Sequence, residues 1–245
     1  MRIVAFALLL ALGAGLALAS QPPSQAQALA GQAVSLDQEP HHHLKFANDD
    51  VRIYDVVVPP HESTLLHQHD NDYVYVVLGA SDITAEEPGQ AAVEVKLADG
   101  AVRFAKGGFA HVLTNDSAQP FRNITIVLLN PRVTARGCSC AGNAAGAVCG
   151  CPNAEPEPAN WTMKVGQLDL GETTLGPGAE LENTSAKTTR FLVAVTPLDL
   201  LDITLHEPRG IKVRLGAGAF HWLSPGKHDL QNLSSQPIRF VSVAF

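Results

Sequence analysis

The sequence predicts an all-β chain made of two tandem units, each a small sandwich or barrel. Three observations carry this. Short segments rich in Val, Ile, Thr and Phe recur between Gly, Pro, Asn and Asp residues, which is the composition of strands and turns. Apolar residues show no helical period outside the N-terminus. A stretch in the middle of the chain returns near its end at a fixed offset, the mark of a duplicated unit.

In the first unit strands are expected at 51–58, 64–69, 73–79, 92–98, 102–105 and 121–129. In the second they are expected at 163–170, 188–196, 201–207, 210–217, 220–224 and 237–245. The repeat joins the two sets. Residues 111–126 (HVLTNDSAQPFRNITI) align with 228–243 (HDLQNLSSQPIRFVSV), with seven of sixteen positions identical at an offset of 117. The same offset pairs 73–77 with 190–194, and His61 with Gly178, each just after a proline-containing turn. Copy one is read as 40–131 and copy two as 160–245, with a linker at 132–159. Six short strands in each copy suggest a sandwich or barrel, and two such units can bury a sizeable core against each other.

The 245 residues carry 17 Lys+Arg against 24 Asp+Glu, a formal charge of −7, with 46% hydrophobic and 17% charged residues. That composition excludes disorder as the general state of the chain. The acidic balance without a run of Lys or Arg argues against nucleic acid as a partner.

The N-terminus reads as a secretory signal peptide at 1–19. Met1 and Arg2 precede an almost wholly apolar run, 3–19, which ends in the small-x-small site Ala17-Leu18-Ala19. The cut is expected after Ala19 or Ser20, and no Cys stands there for lipid attachment. The competing reading is an uncleaved anchor, since 17 residues lie at the lower limit of a span. No later segment has 18 consecutive apolar residues, so no stable membrane span is expected after cleavage. Residues 20–39, rich in Gln, Ala, Ser and Pro, read as a flexible leader. The expected location is secreted or periplasmic.

The chemistry concentrates in copy one. His67 and His69 stand at i and i+2, so a strand turns both rings to one face, about 7 Å apart along the strand. A metal site needs further ligands from other strands, and His111 follows a Lys106-Gly107-Gly108 turn. The spacings resemble those of the cupin family, whose motifs are G-x5-HxH-x3,4-E-x6-G and G-x5-PxG-x2-H-x3-N. The second motif is matched from Gly100 through His111 to Asn115, with Lys106 in place of Pro. The first is matched with His61 at the Gly position, His67 and His69 at HxH, Tyr73 where Glu is expected, and Gly79 one residue early. The stretch HHLKFANDDVRIYDVVVPP also resembles the opening strands of many small cupins.

The resemblance implies two tandem cupin barrels, that is, double-stranded β-helices or jelly rolls, the first with His67, His69 and His111 in its lumen. With Tyr73 replacing the carboxylate, the implied centre is three neutral His. This is similar to the centres of thiol dioxygenases and some other cupins. Such a centre leaves a divalent ion at +2, favours anionic or thiolate ligands, and does not select among Fe, Mn, Ni, Cu and Zn. Tyr73 is either a hydrogen-bonding group beside the ion or a core aromatic. Asp70 and Asp72 read as turn formers, with Asp72 the nearest spare carboxylate. His61 is expected at the surface, and Asn115 at a strand end. His41, His42 and His43 read as an exposed run too near the N-terminus to build the barrel site.

Copy two reads as a worn duplicate. At the 117 offset His67 becomes Thr184, His69 becomes Ala186 and Tyr73 becomes Arg190, and only His111 survives, as His228. Trp222 is either a core aromatic or a sugar-stacking platform. All four cysteines, Cys138, Cys140, Cys149 and Cys151, lie between the copies. In an exported chain they read as disulfides, with nested pairs Cys138–Cys151 and Cys140–Cys149. A four-thiolate metal site or redox thiols are the alternatives.

Three functions compete: a metal-dependent oxygenase-like or isomerase-like enzyme, a non-catalytic small-molecule or sugar binder, and a structural barrel. The inner strands show few carboxylates beside Glu94, which counts against acid–base chemistry. The expected partner is a small molecule, with homo-oligomerisation left open.

Overall fold

The structure is a computed structural model that describes residues 33–129, 148–149, 162–165, 168–182 and 190–244. The first unit runs β1 (Val34–Ser35), β2 (His42–Ala47), β3 (Val51–Val58), β4 (His67–His69), β5 (Tyr73–Val77), β6 (Ser81–Glu86), β7 (Val93–Leu97), β8 (Val102–Ala105), β9 (Phe109–Asn115) and β10 (Phe121–Leu128). After β11 (Val148–Cys149) the second runs β12 (Thr162–Val165), β13 (Leu168–Leu175), β14 (Glu180–Leu181), β15 (Arg190–Ala194), β16 (Leu198–Thr204), β17 (Ile211–Leu215), β18 (Phe220–Leu223), β19 (His228–Asn232) and β20 (Ile238–Ala244). A single 3-10 turn, Leu36–Gln38, interrupts the strands. No helix among the described residues is long and apolar enough to cross a membrane.

Each unit is a pair of facing sheets. In the first the orders are β1-β4-β9-β6-β7 and β11-β8-β5-β10-β3-β2. In the second they are β12-β13-β20-β15-β18 and β14-β19-β16-β17. The strand alternation then decides which core each residue joins. On β3, Val51 and Ile53 face the second unit, while Tyr54, Val56 and Val58 face the lumen. On β5, Val74 and Val76 face outward to the second unit and Tyr73, Tyr75 and Val77 face inward. This is why all five residues of β5 are buried. The same alternation runs through β15, where Phe191 and Val193 meet the first unit and Leu192 and Ala194 line the second lumen.

A pair of arginines 117 residues apart frames this back-to-back packing. Arg122 holds Asp55 through Nε and Nη2, both at 2.9 Å, and donates Nη1 to the Ala217 carbonyl of the other unit at 3.2 Å. Arg239 holds Glu172 through Nε at 2.9 Å and donates Nη1 to Asp99 of the first unit at 2.7 Å. The turns they reach carry Gly100 and Gly218, both at positive φ, where a Cβ would stand 2.3 Å and 2.6 Å from the arriving guanidinium nitrogens. Glycine is required there on both counts.

The repeat is also exact at one buried side chain. Asn115 donates Nδ2 to the carbonyls of Val58 (3.0 Å), Pro59 (3.1 Å) and Gln119 (2.8 Å). Asn232 does the same to Leu175 (3.1 Å), Gly176 (3.0 Å) and Gln236 (2.8 Å). Beside them His61, exposed as expected, adopts the left-handed φ of 60° that Gly178 adopts at 70°.

The barrel starts earlier than residue 40. β1 pairs in parallel with β4, Val34 opposite His67, so 33–39 belong to the first unit and not to a leader. Val148–Cys149, from the expected linker, pair with β8. Strands β2, β6, β9 and β19 stand where no strand was expected from composition, and the strand expected at 163–170 divides into the hairpin β12–β13.

Replacing Asn115 or Asn232 by Ala removes a buried amide that ties together three backbone carbonyls of the surrounding turns. Each substitution is expected to cost about 2–3 kcal/mol, read as a fall in the urea midpoint with secondary structure kept below it.

Candidate metal centre and its cavity

β4 turns His67 and His69 to the lumen with Gln68 between them. The antiparallel ladder puts His111 of β9 directly opposite His67. The Nε2 atoms of His67 and His111 lie 3.0 Å apart, about the spacing of two nitrogens sharing one ion at ~2.0–2.1 Å. The structure thus brings together the three histidines that the motifs single out. All three are almost fully buried.

A fourth imidazole joins them, contrary to the expectation of an exposed run at 41–43. His42 opens β2 opposite Val56, a lumen-facing residue, and its ring centroid lies 4.8 Å from that of His67 and 6.3 Å from that of His69. His42, His67 and His69 each offer a ring nitrogen within 4.8 Å of the others. His43 is exposed, as expected.

Behind His42 stands Glu39, with 0% of its side chain exposed. Its Oε2 accepts from His42 Nδ1 at 2.6 Å and from the His41 amide at 2.8 Å. Its Oε1 accepts from His41 Nδ1 at 2.9 Å and from the Leu65 amide at 3.2 Å. Burial alone would raise this carboxyl's pKa, but the hydrogen bonds from His42 and His41 outweigh it and hold the group at about 2.

The remaining rings are oriented too. His67 donates Nδ1–H to the Leu65 carbonyl at 2.9 Å, leaving Nε2 for the centre. Tyr73 stacks on His69 at 4.2 Å with a 17° tilt, so the residue at the Glu position is a wall against a candidate ligand. Among the described residues His69 Nδ1 is buried without a hydrogen-bond partner, an orphaned nitrogen of the kind that an ion or a polar ligand satisfies. Burial lowers His67 to about 4, and pushes His69 and His111 well down. All three are neutral near pH 7, the state that ligation needs. Buried neutral imidazole nitrogens gathered in one cluster suit a borderline transition metal.

The cluster forms one side of a cavity of about 210 Å³ in the first barrel. Val56, Val58, Ile83, Val95, Phe109, Leu113 and Phe121 give it apolar walls, with Thr64, Asn123 and Thr125 as polar points. Glu87, Gln90 and Ala91 from the β6–β7 connection, and Val93 at the start of β7, also line it. No Lys or Arg lines it among the described residues. The acid in the wall is Glu87, whose carboxyl burial pushes up. Glu94 is exposed and outside the cavity.

Other sequence expectations resolve as follows. Asp72 accepts the Gly107 amide at 2.9 Å, which ties its loop to the turn before β9, and Asp70 is exposed. His228 faces Asp202 with Nδ1 at 2.8 Å and the Ser224 carbonyl with Nε2 at 3.0 Å, so neither nitrogen is free for an ion. Trp222 packs on Phe46 (5.0 Å) and Phe191 (5.1 Å) between the units, a core aromatic. Thr184, Ala186, Cys138, Cys140 and Cys151 lie outside the described residues, as does the Cys149 side chain.

No family model matches the chain, and no curated protein matches it in sequence. Solved structures do match. One is a vicilin from Capsicum annuum, with 12% identity and a TM-score of 0.57 over 85% of this chain and 82% of that one. Another is a salicylate 1,2-dioxygenase from Pseudaminobacter salicylatoxidans, with 10% identity and a TM-score of 0.56 over 89% and 80%. A third is an oxalate decarboxylase from Lactobacillus farciminis in a formate complex, with 11% identity and a TM-score of 0.53 over 83% of each chain. Two jelly rolls packed back to back, the first carrying both histidine motifs, make this the bicupin fold. At such identities the likeness speaks for the fold alone.

The lowered histidines fix how the metal-free protein responds to acid. Their folded forms bind protons less readily than the unfolded chain, so stability is present above about pH 6.5 and is lost as pH falls toward 4. His67, His69 and His111 all act in this direction. Glu39 adds a loss between its ordinary value and about 2. Urea midpoints of the chelator-treated protein are therefore expected to fall steadily from pH 7 to pH 4.

Proposed function

We propose that the chain is a metal-binding bicupin whose first barrel holds one divalent transition-metal ion (Fe, Mn, Ni, Cu or Zn) on His67, His69 and His111. The adjoining cavity takes a small molecule. The observation that carries this reading is the convergence of buried, neutral imidazoles on one wall of a largely apolar cavity. A bound ion would supply a Lewis acid and open coordination positions. The protein's own groups do the rest. The Leu65 carbonyl keeps the His67 proton on Nδ1, and Tyr73 fixes the plane of His69. The apolar walls exclude water, and Asn123, Thr125 and Gln90 offer hydrogen bonds to a ligand.

With Glu87 as the acid in the wall, paired acid–base catalysis has little support. The chemistry we favour is that of a dioxygenase-like oxidoreductase. The same scarcity favours a second reading, a non-catalytic small-molecule binder. The N-terminal run at 1–19 and the clustered cysteines support export to the cell exterior or periplasm.

The untagged protein is expected to carry about one equivalent of a transition metal by elemental mass spectrometry, falling to roughly a tenth or less in His67→Ala. No metal after reconstitution of folded protein would overturn the reading. Oxygen uptake with a panel of small aromatic, carboxylic and thiol compounds separates the oxidoreductase from the binder.

A further inference from the structure

We infer that Glu39 and His42 together replace the missing carboxylate of the centre: His42 is a fourth metal ligand, and Glu39 is the positioning residue that aims it. This rests on the metal reading above and adds residues that the histidine motifs do not contain. The argument is geometric. Tyr73 stands where a charged ligand is expected, and its ring is committed to stacking on His69. The vacant role needs one more donor and one negative charge.

His42 supplies the donor. It enters from β2, in the sheet facing β4 and β9, and packs against His67 and His69. Its Nδ1 is taken by Glu39 at 2.6 Å. An ionised carboxylate only accepts, so the proton sits on Nδ1 and the Nε2 lone pair is left for the ion. Glu39 supplies the charge from one ring further out, as a carboxylate behind a ligating histidine does in many metal sites. A divalent ion held there by neutral imidazoles would, with Glu39, make a centre of +1 overall, as it would be with a directly bound carboxylate.

Glu39 is itself locked by four donors, among them the Leu65 amide just before β4. The strap 33–43 is tied to the same strand by β1 pairing, Val34 opposite His67. An ion held by His42 would therefore add to the ties that dock this strap.

The test uses the full mature chain with Zn²⁺ in chelator competition and Co²⁺ for its absorption spectrum. The variants are His42→Ala, Glu39→Gln and, as control, the exposed His43→Ala. The expected result is a 10–100-fold loss of Zn²⁺ affinity in the first two, with an altered Co²⁺ spectrum, and less than a roughly twofold change in the control. Amide exchange across 33–43 is expected to slow with Zn²⁺ in the parent and not in His42→Ala. If Glu39→Gln does not fold, His42→Ala and the exchange experiment decide alone. A parent that binds Zn²⁺ alongside a His42→Ala variant of equal affinity and unchanged spectrum overturns this inference only. A parent that binds no ion overturns the metal reading and this inference with it.

Discussion

The structure depends on one constraint: the four strands β8-β5-β10-β3 form a sheet that is largely apolar on both faces. Its inner face closes the first lumen, and its outer face presents Val74, Val76, Phe104, Ile124 and Ile126. A single barrel would leave that outer face in water, a patch larger than a monomer tolerates. The second unit offers Leu170, Phe191, Val193, Val241 and Val243 to cover it. A duplicate without an ion site is therefore still required, because it completes the core of the half that has one. The reciprocal arginines set the orientation. Each is held by a carboxylate of its own unit and reaches a glycine-bearing turn of the other.

At the centre, electrostatics and packing act together. Three rings are kept neutral by burial, which makes their lone pairs available and makes the metal-free cluster costly to protonate. The buried carboxylate beside the cluster, Glu39, comes from outside the first motif, between β1 and β2. The rest of the cavity wall is largely apolar, with Thr64, Glu87, Gln90, Asn123 and Thr125 as its polar points.

Much of this was legible in the sequence. Strands with branched and aromatic residues, such as Val51–Val58, Tyr73–Val77 and Phe121–Leu128, stood where composition placed them. Ser81–Glu86 and Phe109–Asn115 did not announce themselves, since they carry polar residues and lean on neighbouring strands for their pairing. The triad His67, His69 and His111 was legible because two local motifs fix it. His42 was not, since it arrives from the opposite sheet. The signal was the alternation of β3 carried across to its partner, where His42 pairs with lumen-facing Val56. A register shift between Leu44 and Phe46 breaks that parity, so counting back from Phe46 assigns His42 to the wrong side. Glu39 had no signal of its own, because nothing in its spacing tells a buried acceptor from a leader residue.

His228 shows what the second barrel does with the histidine it shares with the first. Its ring bridges Asp202 and the Ser224 backbone inside the fold, so the position that serves the lumen cluster in one copy is a structural cross-link in the other. An ion centre could be built around His228 only by first releasing it from both partners, which makes Asp202 the residue that commits the second barrel to a scaffold role.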